Sequence, residues 1–204
     1  MNIDEVMRLS PVIPVLVLEK DGPNPVELAE TLVANGLRVI EVTLRTPGAL
    51  AAMTAMASVS GAVVGAGTIL DPDQLKRAID AGAQFIVSPG LTERIGRAAI
   101  DSGVAYLPGV ANSGDIMRGM EMGLDRFKFF PAMASGGLPA LKALSGPFFN
   151  ARFCPTGGIT RGSAPEWLAD PAVLCVGGSW VVPKGETNMA KIGALAKAAA
   201  QLRY

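Results

Sequence analysis

Two rhythms of apolar and polar positions alternate along this chain. Short β-branched or apolar runs at residues 12–18, 39–43, 62–66, 85–87, 104–107, 126–130, 152–154 and 173–176 read as eight strands. Between them lie stretches with helical spacing, as at 26–34, 74–80, 93–101, 114–122 and 164–168, and residues 2–9 form a short helix ahead of the first strand. Gly36, Gly82, Gly103 and Gly123 each fall between a helix and the next strand, where a left-handed C-cap is easiest for glycine. Asp71-Pro72 reads as an N-cap followed by proline in the first helical turn, and Leu91-Thr92 marks another helix start.

Strand and helix alternate without a linker or a composition break. That pattern predicts an α/β protein: residues 1–204 as one domain, a single (β/α)8 TIM barrel with a short N-terminal helix. A doubly wound open sheet is the runner-up. Polar residues gather at the C-terminal ends of five strands, which is where a barrel builds its active site, and this favours the barrel. Residues 47–70 carry no charge and are long enough to cross a bilayer, yet they are weakly hydrophobic, and Ser60-Gly61 divides them into a helix and a strand. No membrane partner is expected.

Composition narrows the chemistry. Half of the 204 residues are hydrophobic, ample for a sizeable core. Lysine plus arginine equals aspartate plus glutamate at 18 each, so bulk charge offers nothing to nucleic acid or an anionic membrane. The absence of histidine removes histidine-activated nucleophiles, histidine general bases and the usual zinc sites, and no metal is expected. Cys154 and Cys175 sit in apolar runs and read as core packing. No basic region followed by an apolar stretch opens the chain, and a cytoplasmic location is expected.

The remaining chemistry centres on Lys128, in the run Arg126-Phe127-Lys128-Phe129-Phe130-Pro131. As a strand this run puts Arg126, Lys128 and Phe130 on one face and Phe127 and Phe129 on the other. A charged amine taken out of water costs several kcal/mol, and an amine that sheds its proton there becomes a nucleophile. A lysine that ends an edge strand and reaches to water fits the same run. Period two also places Glu41, Thr43 and Arg45 on the face opposite Ile40 and Val42, so that an acid and a guanidinium approach the same barrel mouth. Gly157-Gly158 and Gly177-Gly178-Ser179 close the seventh and eighth strands, where barrels most often bind phosphate through backbone amides. Gly65-Ala66-Gly67 lacks the third glycine of a dinucleotide fingerprint. One amine, one carboxylate, one arginine and glycine loops at one mouth describe a Schiff-base enzyme for a phosphorylated oxo acid.

Six motifs extend this reading: Glu41-Val42-Thr43-Leu44-Arg45-Thr46, Val64-Gly65-Ala66-Gly67-Thr68, Ser88-Pro89-Gly90-Leu91-Thr92, Phe127-Lys128-Phe129-Phe130-Pro131-Ala132, Arg152-Phe153-Cys154-Pro155-Thr156-Gly157-Gly158 and Gly177-Gly178-Ser179-Trp180. In this order, over residues 12–182, the chain resembles the class I KDPG/KHG aldolases, lyases that include 2-dehydro-3-deoxy-6-phosphogluconate (KDPG) aldolase of the Entner–Doudoroff pathway. The resemblance implies a homotrimer of barrels that cleaves KDPG to pyruvate and glyceraldehyde 3-phosphate with neither metal nor cofactor. It also implies that Lys128 forms the Schiff base and that Glu41 is the general acid and base. Arg45 and Thr68 are expected to hold the pyruvate carboxylate, Pro89 and Phe130 to line the pocket, and Gly157, Gly158, Gly178 and Ser179 to bind the phosphate. Two alternatives stand beside it. The substrate could be 4-hydroxy-2-oxoglutarate, or oxaloacetate by decarboxylation; or the chain could be a catalytically silent phosphosugar-binding barrel.

Overall fold

The structure is a computed structural model that describes residues 1–202. Its strands are β1 (Val12–Leu16), β2 (Val39–Thr43), β3 (Val63–Gly67), β4 (Phe85–Val87), β5 (Ala105–Leu107), β6 (Gly109–Val110), β7 (Arg126–Phe129), β8 (Arg152–Phe153) and β9 (Val176–Gly178). The helices are α1 (Ile3–Arg8), α2 (Pro25–Ala34), α3 (Ala49–Ala57), α4 (Pro72–Asp80), α5 (Glu93–Ser102), α6 (Ser113–Glu121), α7 (Gly137–Ser145), α8 (Ala164–Leu168) and α9 (Met189–Ala200). The strand order is β5-β4-β3-β2-β1-β9 in one curled sheet and β6-β7-β8 in another, and the paired strands run parallel. An α/β architecture with a parallel sheet is what the strand–helix rhythm predicts.

The strands differ from the expected eight in instructive ways. The fifth run matches β5, and a further short strand not expected from the sequence, β6, follows it after Pro108, which has no N–H to donate to a ladder. The first stops at Leu16 instead of residue 18, because Thr43 Oγ1 and Thr46 Oγ1 donate to the Leu16 and Leu18 carbonyls at 2.7 and 2.6 Å. The last begins at Val176 instead of residue 173: the Ala172 amide donates to Asp170 Oδ1 at 2.9 Å, a local turn that competes with pairing. Parallel bridges link the end of β8 to the approach of β9 at Phe153↔Val173 and the segment after β8 to β9 itself at Thr156↔Gly177.

Helix starts follow the capping residues. Asp71 accepts from the Gln74 amide at 2.7 Å ahead of Pro72, and Thr92 accepts from the Ile95 amide at 3.4 Å. The four glycines between helices and strands have φ of 71° to 94°. The charge-free stretch divides into α3 and β3, and among the described residues no helix is long and apolar enough to cross a membrane. Helices α7 and α9 lie outside the stretches singled out from periodicity.

Two apolar regions lie on opposite faces of the sheet. Ile40, Val42, Val64, Ile86, Phe127 and Phe129 pack outward against helix residues such as Leu28, Leu32, Met53 and Leu141. Ile13, Val39, Val63, Phe85, Val87, Leu107, Cys154 and Cys175 point inward and meet Val6 and Met7 of α1. Each such side chain contributes roughly 1.5–3 kcal/mol when fully buried. Helix α1 is held by an Asn2/Glu5 capping box and by Asp4, which accepts from Arg126 Nε at 2.5 Å. Arg126 begins β7, so α1 covers the N-terminal end of the sheet and leaves the other end to chemistry.

Candidate active site

On β7 the inward residues are Arg126 and Lys128, and on β2 they are Val39, Glu41 and Thr43. Lys128 is the parallel ladder partner of Gly109, and Glu41 that of Gly65 and Val15. From these two strands Lys128 Nζ donates to Glu41 Oε1 at 3.0 Å and Oε2 at 3.3 Å. The side chains are 6% and 4% exposed. The lysine that could have reached to water is therefore turned inward. Desolvating both charges costs several kcal/mol per ion, which the mutual attraction and the hydrogen bonds offset only in good geometry. Lys128 Nζ also lies 5.3 Å from the centroid of the Phe130 ring, within the range of a cation–π contact. Chemically, the pair is an amine and a carboxylate that can pass a proton across one hydrogen bond.

Glu41 reaches this position because Gly67 leaves room for it. A Cβ built on Gly67 would stand 2.2 Å from Glu41 Oε1. Gly65, two residues earlier on the same face, makes the same concession to the Phe85 ring, at 2.5 Å. Gly67 was not among the candidate site residues. Its signal was present in the sequence: glycines at i and i+2 in an apolar strand empty one face of it.

At the rim, Arg45 Nε donates to Thr68 Oγ1 at 3.1 Å, which leaves the Thr68 hydroxyl proton available to a further acceptor. Thr68 has φ 63°, an uncommon conformation for a β-branched residue and one that persists where surrounding structure enforces it. A guanidinium and a hydroxyl thus present donors side by side, in the arrangement a carboxylate accepts. Pro89 and Phe130 are half-buried.

The glycine loops adjoin one another through the Thr156↔Gly177 bridge. Gly157 and Gly158 have φ of 103° and 79°, and a Cβ on Gly157 would stand 3.4 Å from the Phe130 ring. The Ala132 and Met133 amides donate to the Thr156 and Gly157 carbonyls at 2.8 and 3.1 Å, which fastens this loop to the segment after Lys128. Among the described residues none accepts from the Gly157 or Gly158 amide. Gly178 and Ser179 begin a single 3₁₀ turn, with Ser179 exposed.

Below the pair, both cysteines are buried and free, and burial, followed by the neighbouring Cys154, pushes the Cys175 thiol well up. Core packing describes them. Among the described residues no group of three or more His, Cys, Asp or Glu side chains is placed to hold a metal. A cavity of about 980 Å³, lined by Leu18, Pro23, Thr46, Ala51 and Ala55 among others, opens beside the β1–α2 loop; Lys128 and Glu41 are not in its wall.

The family model for KDPG and KHG aldolases matches residues 3–195. A 2-dehydro-3-deoxy-phosphogluconate aldolase of Zymomonas mobilis is 58% identical over 202 residues, covering 99% of this chain and 97% of that protein. The crystal structure of the 2-keto-3-deoxy-6-phosphogluconate aldolase of Zymomonas mobilis ZM4 with 3-phosphoglycerate superposes with a TM-score of 0.96 at 58% identity, over 98% of this chain and 96% of that one. The KDPG aldolase of Legionella pneumophila, with pyruvate captured as a covalent carbinolamine intermediate, gives a TM-score of 0.94 at 43% identity over 98% of both chains.

Proposed function

This chain belongs to the KDPG and KHG aldolase family, and from that premise we propose how its own residues carry out the reaction. The reaction is the cleavage of 2-dehydro-3-deoxy-6-phospho-D-gluconate to pyruvate and D-glyceraldehyde 3-phosphate by a class I lyase. In our reading Lys128 Nζ attacks the C2 carbonyl, and Glu41, one hydrogen bond away, moves protons between nitrogen and oxygen as the carbinolamine loses water. The resulting protonated imine draws in the C3–C4 bonding electrons as the C4 hydroxyl loses its proton. Glyceraldehyde 3-phosphate leaves, C3 of the enamine takes a proton back, and hydrolysis of the imine releases pyruvate and the free amine. The imine supplies the electron sink, so no metal or cofactor enters the scheme. Arg45 and Thr68 hold the carboxylate, Pro89 and Phe130 line the pocket, and Gly157, Gly158, Gly178 and Ser179 receive the phosphate.

The observation that carries this reading is the buried Lys128–Glu41 pair. Its test is borohydride reduction in the presence of pyruvate, followed by peptide mass mapping: the adduct is expected on Lys128, and an unmodified Lys128 overturns the mechanism. The Gly157 and Gly158 amides, to which no described residue offers an acceptor, favour the phosphorylated substrate over 4-hydroxy-2-oxoglutarate or oxaloacetate. Turnover compared across these substrates tests that preference.

The same reading takes residues 1–204 as one domain and joins β5 and β6 across Pro108 into a single strand. With the two bridges beside β9, this closes the sheet into a (β/α)8 barrel. A homotrimer in the cytoplasm completes the proposal, on the strength of the family resemblance.

A further inference from the structure

Ser88 follows β4, is buried, and has its Oγ 2.7 Å from the Gly90 carbonyl and 2.7 Å from the Tyr106 hydroxyl. A carbonyl only accepts, so the one Ser88 proton goes to Gly90 and the Tyr106 hydroxyl donates to Ser88. Burial pushes the Tyr106 phenol up to about 12, so it remains a donor across the working range of the protein. The relay therefore runs from Tyr106 to Ser88 to Gly90, and it closes a three-residue turn with Pro89 at its tip.

A second contact holds the same turn from beneath. A Cβ on Gly109 would stand 2.2 Å from the Pro89 carbonyl oxygen and 2.3 Å from its carbon, a backbone contact that no side chain could share. Gly109 is the ladder partner of Lys128, and the Lys128 amide donates to the Pro108 carbonyl at 2.8 Å. The Pro89 turn thus rests on the backbone that pairs with the lysine.

We infer that Ser88 and Tyr106 are positioning residues for the aldolase reaction: their hydroxyl relay seats Pro89 against the strand that pairs with Lys128 and so sets the pose of the oxo acid at the amine. The inference rests on the reading of Lys128 as the reacting amine and Pro89 as pocket wall. Both residues are buried and their hydroxyls are engaged in the relay, so the effect reaches the oxo acid through Pro89.

The test is a double-mutant cycle read in kcat and KM for KDPG cleavage, with Ser88→Ala and Tyr106→Phe each made in wild-type and Pro89→Ala backgrounds. In the wild-type background kcat/KM is expected to fall about tenfold, because small displacements of a positioned substrate are expensive in rate. In the Pro89→Ala background the same substitutions should cost less than about twofold, since the element they act through is gone. Ser88→Thr, which keeps a hydroxyl, should recover most of the loss. Unchanged kcat/KM would show that the hydroxyls only satisfy each other, and equal losses in both backgrounds that they act independently of Pro89; either result overturns the inference. If Ser88→Ala does not fold, Tyr106→Phe, smaller by one oxygen, carries the same comparison. Borohydride trapping on wild-type Lys128 separates the two readings. Absent trapping removes the mechanism itself; normal trapping with no coupling to Pro89 removes only the positioning role.

Discussion

At the residue scale, Lys128 and Glu41 form a pair that stability alone does not explain. Removing one partner from a buried ion pair leaves an uncompensated charge, so Lys128→Ala is expected to cost about 3–5 kcal/mol in denaturant unfolding. An apolar replacement of both, Lys128→Met with Glu41→Leu, should be close to neutral or even stabilising. A double variant much less stable than wild type would show that the pair holds the fold. Glu41→Gln keeps the shape and loses the proton exchange, so kcat should fall by about two to four orders of magnitude. A loss confined to KM would reassign Glu41 to binding. Gly67→Ala makes the same point through space: its Cβ would stand 2.2 Å from Glu41 Oε1, so the carboxylate must move. About a hundredfold loss of kcat is expected, with roughly 1–3 kcal/mol of destabilisation from overpacking; wild-type kinetics would show that the site tolerates a displaced Glu41.

At the element scale, α1 illustrates how a short helix earns a place in the fold. Six residues are too few to be stable alone. Val6 and Met7 enter the inner core, and Asp4 joins Arg8 of its own helix to Arg126 of β7. Hydrogen bonding from Arg8 and then from Arg126, working against burial, lowers the Asp4 carboxyl below its ordinary 3.8. A lowered folded-state value means that this contribution is complete above that ordinary value and is lost as pH falls through the lowered one. Asp4→Asn should therefore be less stable than wild type at pH 7, and the gap should close as the pH drops below about 4. Unfolding midpoints at pH 7 and pH 3 check this, and a gap independent of pH would mean that the carboxylate charge contributes nothing to docking. Helix α1 was legible as a helix from residues 2–9, but its function as a cover was not, because Asp4 and Arg126 are distant in sequence.

At the scale of the whole molecule, the proposed homotrimer predicts a sedimentation mass of three 21.0 kDa chains; a single-chain mass at working concentrations would overturn it. The zero formal charge of the chain leaves recognition to local groups, and those groups divide by how they were visible. Strand and helix order, the caps at Asp71 and Thr92, and the shared faces of Lys128 with Phe130 and of Glu41 with Arg45 were readable from the sequence, because each is decided within one element by period, capping chemistry or alternation. The 3.0 Å contact between Lys128 and Glu41 joins residues 87 positions apart. It depends on sheet curvature and strand register, which no local pattern contains. The break at Pro108, the vacancy that Gly67 offers to Glu41 and the relay from Tyr106 through Ser88 to the Pro89 turn belong with it. The sequence by itself determined which groups share a strand face and what chemistry they can perform; only the tertiary structure decided which face turns inward and which groups meet, because that is settled by packing between strands far apart in the chain.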